Sequence, residues 1–244
     1  MRFKNRLISS YQNKVYRKTN DRFYYHEFLK NISKFFNYKE KLKILDIGCG
    51  SGGLSIFLSK KFLNSEFYCI DKDSKNIIYA KNMVKKLNLK TKINFTCKDF
   101  GKFSSKEKFD LVICSGFLCF FSDFKQPLNK MLKFIKNKRS KIMIFGDFNS
   151  SGVDKIVKFK STNHAKTGVW MEGFTSYSIK TIKNYLLKKK YKLKEIRFKL
   201  PKNIGKFKGD PVRSISRILQ GYGRLIFNKA NLIFEFYTLI ISKK

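Results

Sequence analysis

The chain has 244 residues, 43% of them hydrophobic and 16% aromatic, with only 3 Pro and 14 Gly. That composition excludes wholesale disorder and any collagen-like or low-complexity protein. Lys and Arg number 54 against 17 acids, a formal charge of +37 that suits nucleic acid, an anionic membrane or an acidic substrate. Only nine of the 54 are Arg, and polyanion-reading sites lean on Arg for bidentate contacts, so the lysine excess reads first as a solvated surface. The five cysteines, Cys49, Cys69, Cys97, Cys114 and Cys119, contain no C-x-x-C pair and read as reduced core residues without a disulfide framework or metal site. Met1-Arg-Phe-Lys-Asn-Arg lacks the apolar core of a secretory signal. The longest apolar run, Ala230 to Ser242, is broken by Asn231 and Glu235 and is too short to span a bilayer. A cytoplasmic protein of unknown oligomeric state is expected.

In chain order, Asp21 can cap a helix to about Phe36 with Phe23, Phe28, Ile32 and Phe35 on one face. Lys41 to Gly48 reads as a strand, Gly53 to Phe62 as a helix with Leu54, Phe57 and Leu58 inward, Glu66 to Ile70 as a strand, Ser74 to Leu87 as a helix and Ile93 to Cys97 as a strand. A strand at Phe109–Ser115, a helix from Asp123 to about Ile135 and a strand at Lys141–Gly146 continue the alternation. Such alternation means βαβ units and a parallel sheet covered on both faces. After a helix at Ser178–Lys189, strands Lys192–Phe198 and Leu232–Ser242 have no clear crossover between them and are expected as an antiparallel pair at the sheet edge. The expected architecture is one α/β domain, a Rossmann-like doubly wound sheet of about seven strands. It divides into an N-terminal helical extension (1–38), a cofactor-binding core (40–146), a lid insertion (148–175) and a C-terminal helix with edge strands (176–244).

Asp46-Ile-Gly48-Cys-Gly50-Ser-Gly52-Gly53 follows a strand and opens a helix, the context in which glycine lets backbone approach a ligand. Gly48, Gly50 and Gly53 also satisfy the dinucleotide spacing G-x-G-x-x-G, with Asp71 standing 23 positions after Gly48. Asp46 bears on the choice, because its carboxylate would repel a pyrophosphate and favour a sulfonium or ammonium. At these residues the chain resembles the class I S-adenosylmethionine-dependent methyltransferases, whose first motif, an acidic residue, x, Gly-x-Gly-x-Gly, is met by Asp46, Gly48, Gly50 and Gly52. The resemblance covers residues 40 to about 146. It implies S-adenosylmethionine as cofactor, with Asp71 on the ribose hydroxyls, Asp99 on the adenine amino group, Phe100 packed on the ring, and Cys49 and Lys72 beside them. Asp110 to Phe117 resembles the fourth motif, in which backbone around Ser115 lies beside the methionine end. Ser115-Gly116-Phe117 stands where Asn/Asp-Pro-Pro-Tyr/Phe would signal N-methylation of adenine or glutamine, so the chain looks more like the small-molecule branch.

Holding donor and acceptor in line supplies much of the rate of a methyl transfer, and a general base is needed only for an acceptor that must lose a proton. His164, Glu172 and Tyr177, with Asp147 just after the fifth strand, are the candidates. Trp170 lies in an aperiodic segment that reads equally as a substrate lid or as a satellite cluster, and Arg213 and Arg217 could clamp a carboxylate or phosphate. The stretch Trp170–Arg217 resembles that of methyltransferases associated with surface-sugar biosynthesis, which implies a small-molecule or sugar-conjugate acceptor. O-methylation of such a metabolite is the expected activity. An RNA methyltransferase, a nicotinamide-dependent oxidoreductase and a binding module without turnover are the alternatives.

Overall fold

The protein is described by a computed structural model that covers residues 22–159, 170–172, 175–199, 215–221, 223–227 and 233–244. Helix α1 (Phe23–Ile32) leads into β1 (Lys43–Ile47), α2 (Gly53–Ser59), β2 (Glu66–Asp71), α3 (Ser74–Lys86) and β3 (Lys92–Cys97). A short 3-10 turn, Phe100–Lys102, then precedes β4 (Leu111–Ser115), and a second, Leu118–Phe120, precedes α4 (Lys125–Phe134) and β5 (Lys141–Asn149). Two-residue strands β6 (Lys158–Phe159), β7 (Met171–Glu172) and β8 (Tyr177–Ser178) lead to α5 (Ile179–Lys188) and β9 (Tyr191–Arg197). A hairpin of β10 (Ile215–Leu219) and β11 (Gly223–Phe227) precedes the last strand, β12 (Ile233–Lys243).

The main sheet runs in the order β10-β11-β12-β5-β4-β1-β2-β3. The five strands from β5 to β3 are parallel, and β12 lies antiparallel between β5 and β9. This is the expected parallel sheet with an antiparallel edge. One difference is the β10–β11 hairpin, which occupies the interval between the last two expected strands and joins only the first residues of β12.

Alternation along the strands divides the core into two layers. Leu45, Ile47, Val112, Ile142 and Ile144 face α4 and α5. Ile44, Phe67, Leu111, Ile113, Met143 and Phe145 face α1, α2 and α3. Phe28, Phe62 and Phe109 are fully buried, and each such ring contributes about 1.5–3 kcal/mol of hydrophobic stabilisation.

Helix α1 departs from its expected face. Phe23 is 54% exposed, and the buried positions are Tyr25, Phe28, Asn31 and Ile32. Its N-cap is Arg22, which provides no side-chain capping bond, and Asp21 lies outside the described residues. All five cysteines are free, but Cys97 is exposed on β3 and only Cys69 and Cys114 are fully inside. No helix among the described residues is long and apolar enough to cross a membrane.

Candidate cofactor and acceptor site

The turn between β1 and α2 is strapped to its neighbour strand, since the N–H groups of Gly48 and Cys49 both donate to the Ile70 carbonyl at 2.9 and 3.0 Å. Two of its glycines are needed for different reasons. Gly52 caps α2 with φ 77° and lies so close to Phe95 that a Cβ would approach the ring to 2.7 Å. Gly50, at φ 55°, has nothing within 4 Å of where its Cβ would point, so its face of the turn is open to a ligand.

Two carboxylates flank this opening. Asp71, at the end of β2, accepts the Gly50 N–H at 2.8 Å through one oxygen and the Asp73 N–H at 2.8 Å through the other. The Asn76 side chain also donates to this carboxylate, which still has a lone pair for a ribose hydroxyl, although burial raises the group's pKa against the help of these three donors. Asp46 is 2% exposed and accepts the Ser55 hydroxyl at 2.6 Å. Burial pushes its pKa up to about 7, with Asp71 adding repulsion and no cation among the influences on it. A buried carboxyl without a positive partner among the described residues suits a cationic ligand.

Asp99 is exposed beyond β3 and caps the following turn through the Gly101 N–H at 2.7 Å. Phe100 turns inward, its ring edge-on to Phe117 at 5.6 Å and tilted against Phe134, so what it offers a purine is a margin of the core. Lys72 is exposed, and Cys49 is half-buried in the turn, its thiol in contact with that of Cys69 and held protonated by burial. Ser115 closes β4, half-buried, beside Gly116. Asp110, by contrast, belongs to the other end of the sheet. It accepts the Lys43 N–H at 2.9 Å and pairs with Lys136 at 3.7 Å, a structural fastening at the amino end of β4.

The acceptor-side residues divide. Asp147 lies near the carboxyl end of β5, opposite Phe236 on β12. It accepts no hydrogen bond from a described residue, and burial alone pushes its carboxyl up to about 7. The Cys119 thiol lies within its field. Tyr177 does not reach the site: it is 2% exposed, its ring edge-on to Phe124, and its hydroxyl donates to the Phe121 carbonyl. The expected catalytic role for it gives way to a structural one, because β8 turns this side chain into the layer beneath α5. Trp170 is 66% exposed, and Arg217 is exposed on the hairpin opposite Leu225. His164 and Arg213 lie outside the described residues.

Sequence reading missed Tyr24 and Tyr25 of α1. Tyr24 hydrogen-bonds the Ser115 side chain, and the Tyr25 hydroxyl abuts Gly53. The available signal was the helical period through Phe28 and Ile32, which brings Tyr25 to the buried face.

An open glycine turn at a β1–α2 junction, acids closing β1 and β2, and the strand order β3-β2-β1-β4-β5 followed by a reversed strand define a nucleoside-binding α/β enzyme. Residues 38–196 match the methyltransferase domain family, and the chain belongs to it. The cofactor is S-adenosylmethionine, and the dinucleotide reading of Gly48, Gly50 and Gly53 falls away. A malonyl-[acyl-carrier protein] O-methyltransferase of Priestia megaterium is 26% identical over 72% of this chain and 63% of its own length. Ribosomal RNA small subunit methyltransferase G of Malacoplasma penetrans is 32% identical over 37% of this chain and 39% of its own. The chain thus spans less than two thirds of either relative. An S-adenosylmethionine-dependent methyltransferase of Clostridium acetobutylicum shares the fold, with a TM-score of 0.57 at 13% identity over 96% of both chains.

Proposed function

We propose that the enzyme methylates an oxygen of a small or carrier-conjugated metabolite at the carboxyl ends of β4 and β5, with Asp147 receiving the acceptor's proton. The bound cofactor supplies a methyl group made electrophilic by its sulfonium. Asp46 would balance that ligand's positive charge, Asp71 would hold the ribose, and Asp99 would meet the adenine. The observation that carries the reading is Asp147. A carboxyl with a pKa of about 7 and no hydrogen bond from a described residue is matched to taking a proton from a hydroxyl near neutrality. The Priestia relative, an O-methyltransferase by name, supports the same reaction type. A sugar-conjugate acceptor remains part of the proposal through the segment Trp170–Arg217.

An RNA acceptor is the second reading, favoured by the charge of +37 and by the Malacoplasma relative. The test is transfer of radiolabelled methyl from S-adenosylmethionine to total RNA and, separately, to the small-molecule and carrier-protein fractions of a bacterial extract. Label in the second set and not in RNA is expected. Label confined to RNA would overturn the small-metabolite reading.

A further inference from the structure

Helix α1 reaches the site through two adjacent tyrosines. Tyr25 meets the glycine turn at Gly53, its hydroxyl occupying the space a Cβ there would need. Tyr24 lies flat on Phe145, ring centroids 4.8 Å apart and planes 7° from parallel, and Phe145 stacks in turn on Phe236 at 5.4 Å. Phe145 is the cross-strand partner of Ser115, and its carbonyl accepts the Gly116 N–H at 2.8 Å. The ring and hydroxyl of Tyr24 therefore close a circuit through Phe145, Gly116 and Ser115 at the end of β4. Beyond it no described residue intrudes, since a Cβ at Gly116 would meet nothing among them within 4 Å. Packing on Phe145 requires only the ring. A phenol hydroxyl delivered to a strand end beside an opening is a polar group with a task. Burial keeps that hydroxyl protonated, and it bonds both Tyr25 and Ser115; as the acceptor of the Ser115 hydroxyl it fixes that side chain and leaves the serine's lone pairs for a donor on a ligand, such as an ammonium.

We propose that Tyr24 is a positioning residue for the methionine end of the cofactor, acting through Ser115. The inference rests on the cofactor reading of the glycine turn. In the order β4-β1-β2-β3, Asp71 and Asp99 stand at the ends of β2 and β3, whereas Ser115 stands on the far side of β1. A group at β4 thus touches a different part of an extended ligand from the part the two acids hold. Losing the Tyr24 hydroxyl should weaken grip on the amino-acid portion and spare the nucleoside.

The experiment is calorimetry of S-adenosylhomocysteine and of adenosine, which lacks the methionine end, on the wild type, Tyr24→Phe, Ser115→Ala and the double variant. Tyr24→Phe keeps the ring on Phe145. Each single variant should weaken S-adenosylhomocysteine by about 3–10-fold, the range of one neutral hydrogen bond, with adenosine within about twofold. The double variant should be no weaker than the worse single, because both changes remove one interaction. Equal losses for the two ligands, no loss for either, or multiplying losses in the double variant would overturn the assignment. Wild-type protein that binds neither ligand would instead overturn the cofactor reading beneath it.

Discussion

The protonation of Asp46 makes cofactor affinity pH-dependent. The unliganded carboxyl, 2% exposed, has a pKa of about 7 against an ordinary 3.8. A cationic ligand is drawn to the ionised form, so binding must expel the proton wherever Asp46 holds one. Below pH 7 each unit costs about tenfold in affinity, and above it the cost vanishes. Going from about pH 8 to about pH 6 should therefore weaken S-adenosylmethionine by roughly tenfold. Restoring the ordinary pKa fully would correspond to a coupling of about 4 kcal/mol at 1.36 kcal/mol per unit. Calorimetry in two buffers of different ionisation enthalpy reads the effect directly, with about half a proton released per ligand near pH 7. Asp46→Asn, which can keep the Ser55 hydrogen bond, should flatten both signals. A wild-type affinity that is constant across this range, with no buffer-dependent heat, would refute the charge-pairing role.

Asp71→Ala removes the acceptor of the Gly50 and Asp73 amides and of the ribose, and should weaken S-adenosylhomocysteine by about 1.5–3 kcal/mol, the scale of hydrogen bonds to a charged group; unchanged binding by a folded variant would remove Asp71 from the site. Asp147→Asn should cut methyl transfer to a hydroxyl acceptor by about 10²–10⁴-fold while S-adenosylhomocysteine affinity, read by calorimetry, stays within about threefold; undiminished turnover would exclude it as the base. Tyr177→Phe removes the partner of the half-buried Phe121 carbonyl and should cost about 0.5–1.5 kcal/mol of stability by denaturant titration without weakening S-adenosylhomocysteine; weakened binding at unchanged stability would return Tyr177 to the site. Asp46 and Asp147 both titrate higher folded than unfolded, so the native state holds protons that the unfolded chain releases. The stability they contribute should fall as pH rises from about 4 to 7, and the Asn variants should shallow that slope in thermal melts.

The part of the site that was legible in the sequence is the part made by local spacing. Glycines between a strand and a helix, and acids closing consecutive strands, are set within a few residues of each other, so Asp46, Gly50 and Asp71 could be found without knowing the fold. Asp110 shows the limit, because a strand-boundary acid looks the same at either end of a strand and only the direction of β4 puts it away from the opening. Tyr177 and Tyr24 show another. Tyr24 lies on a helix against the sheet and Tyr177 on a two-residue strand paired to β5, and which one brings its hydroxyl to the ligand end depends on the pairing of Ser115 with Phe145 and of Phe148 with Tyr177, contacts that no periodicity encodes. The β10–β11 hairpin did carry a local signal, Gly221 and Gly223 at positive φ between two short β-rich runs, which the sequence reading passed over.

The antiparallel insertion of β12 has a kinetic consequence. Its register pairs Glu235 with Phe148 and Ile241 with Ile142, so closing this ladder requires a loop of some ninety residues, and loop-closure entropy makes such long-range pairing slow. The pairs β1–β2 and β2–β3 span far shorter separations through single helices. The nucleoside-holding half can therefore organise early from near-neighbour contacts. The wall opposite Asp147 forms only once Phe236 arrives, so mutations that slow the docking of β12 should leave folding intermediates able to hold adenosine before they can seat an acceptor.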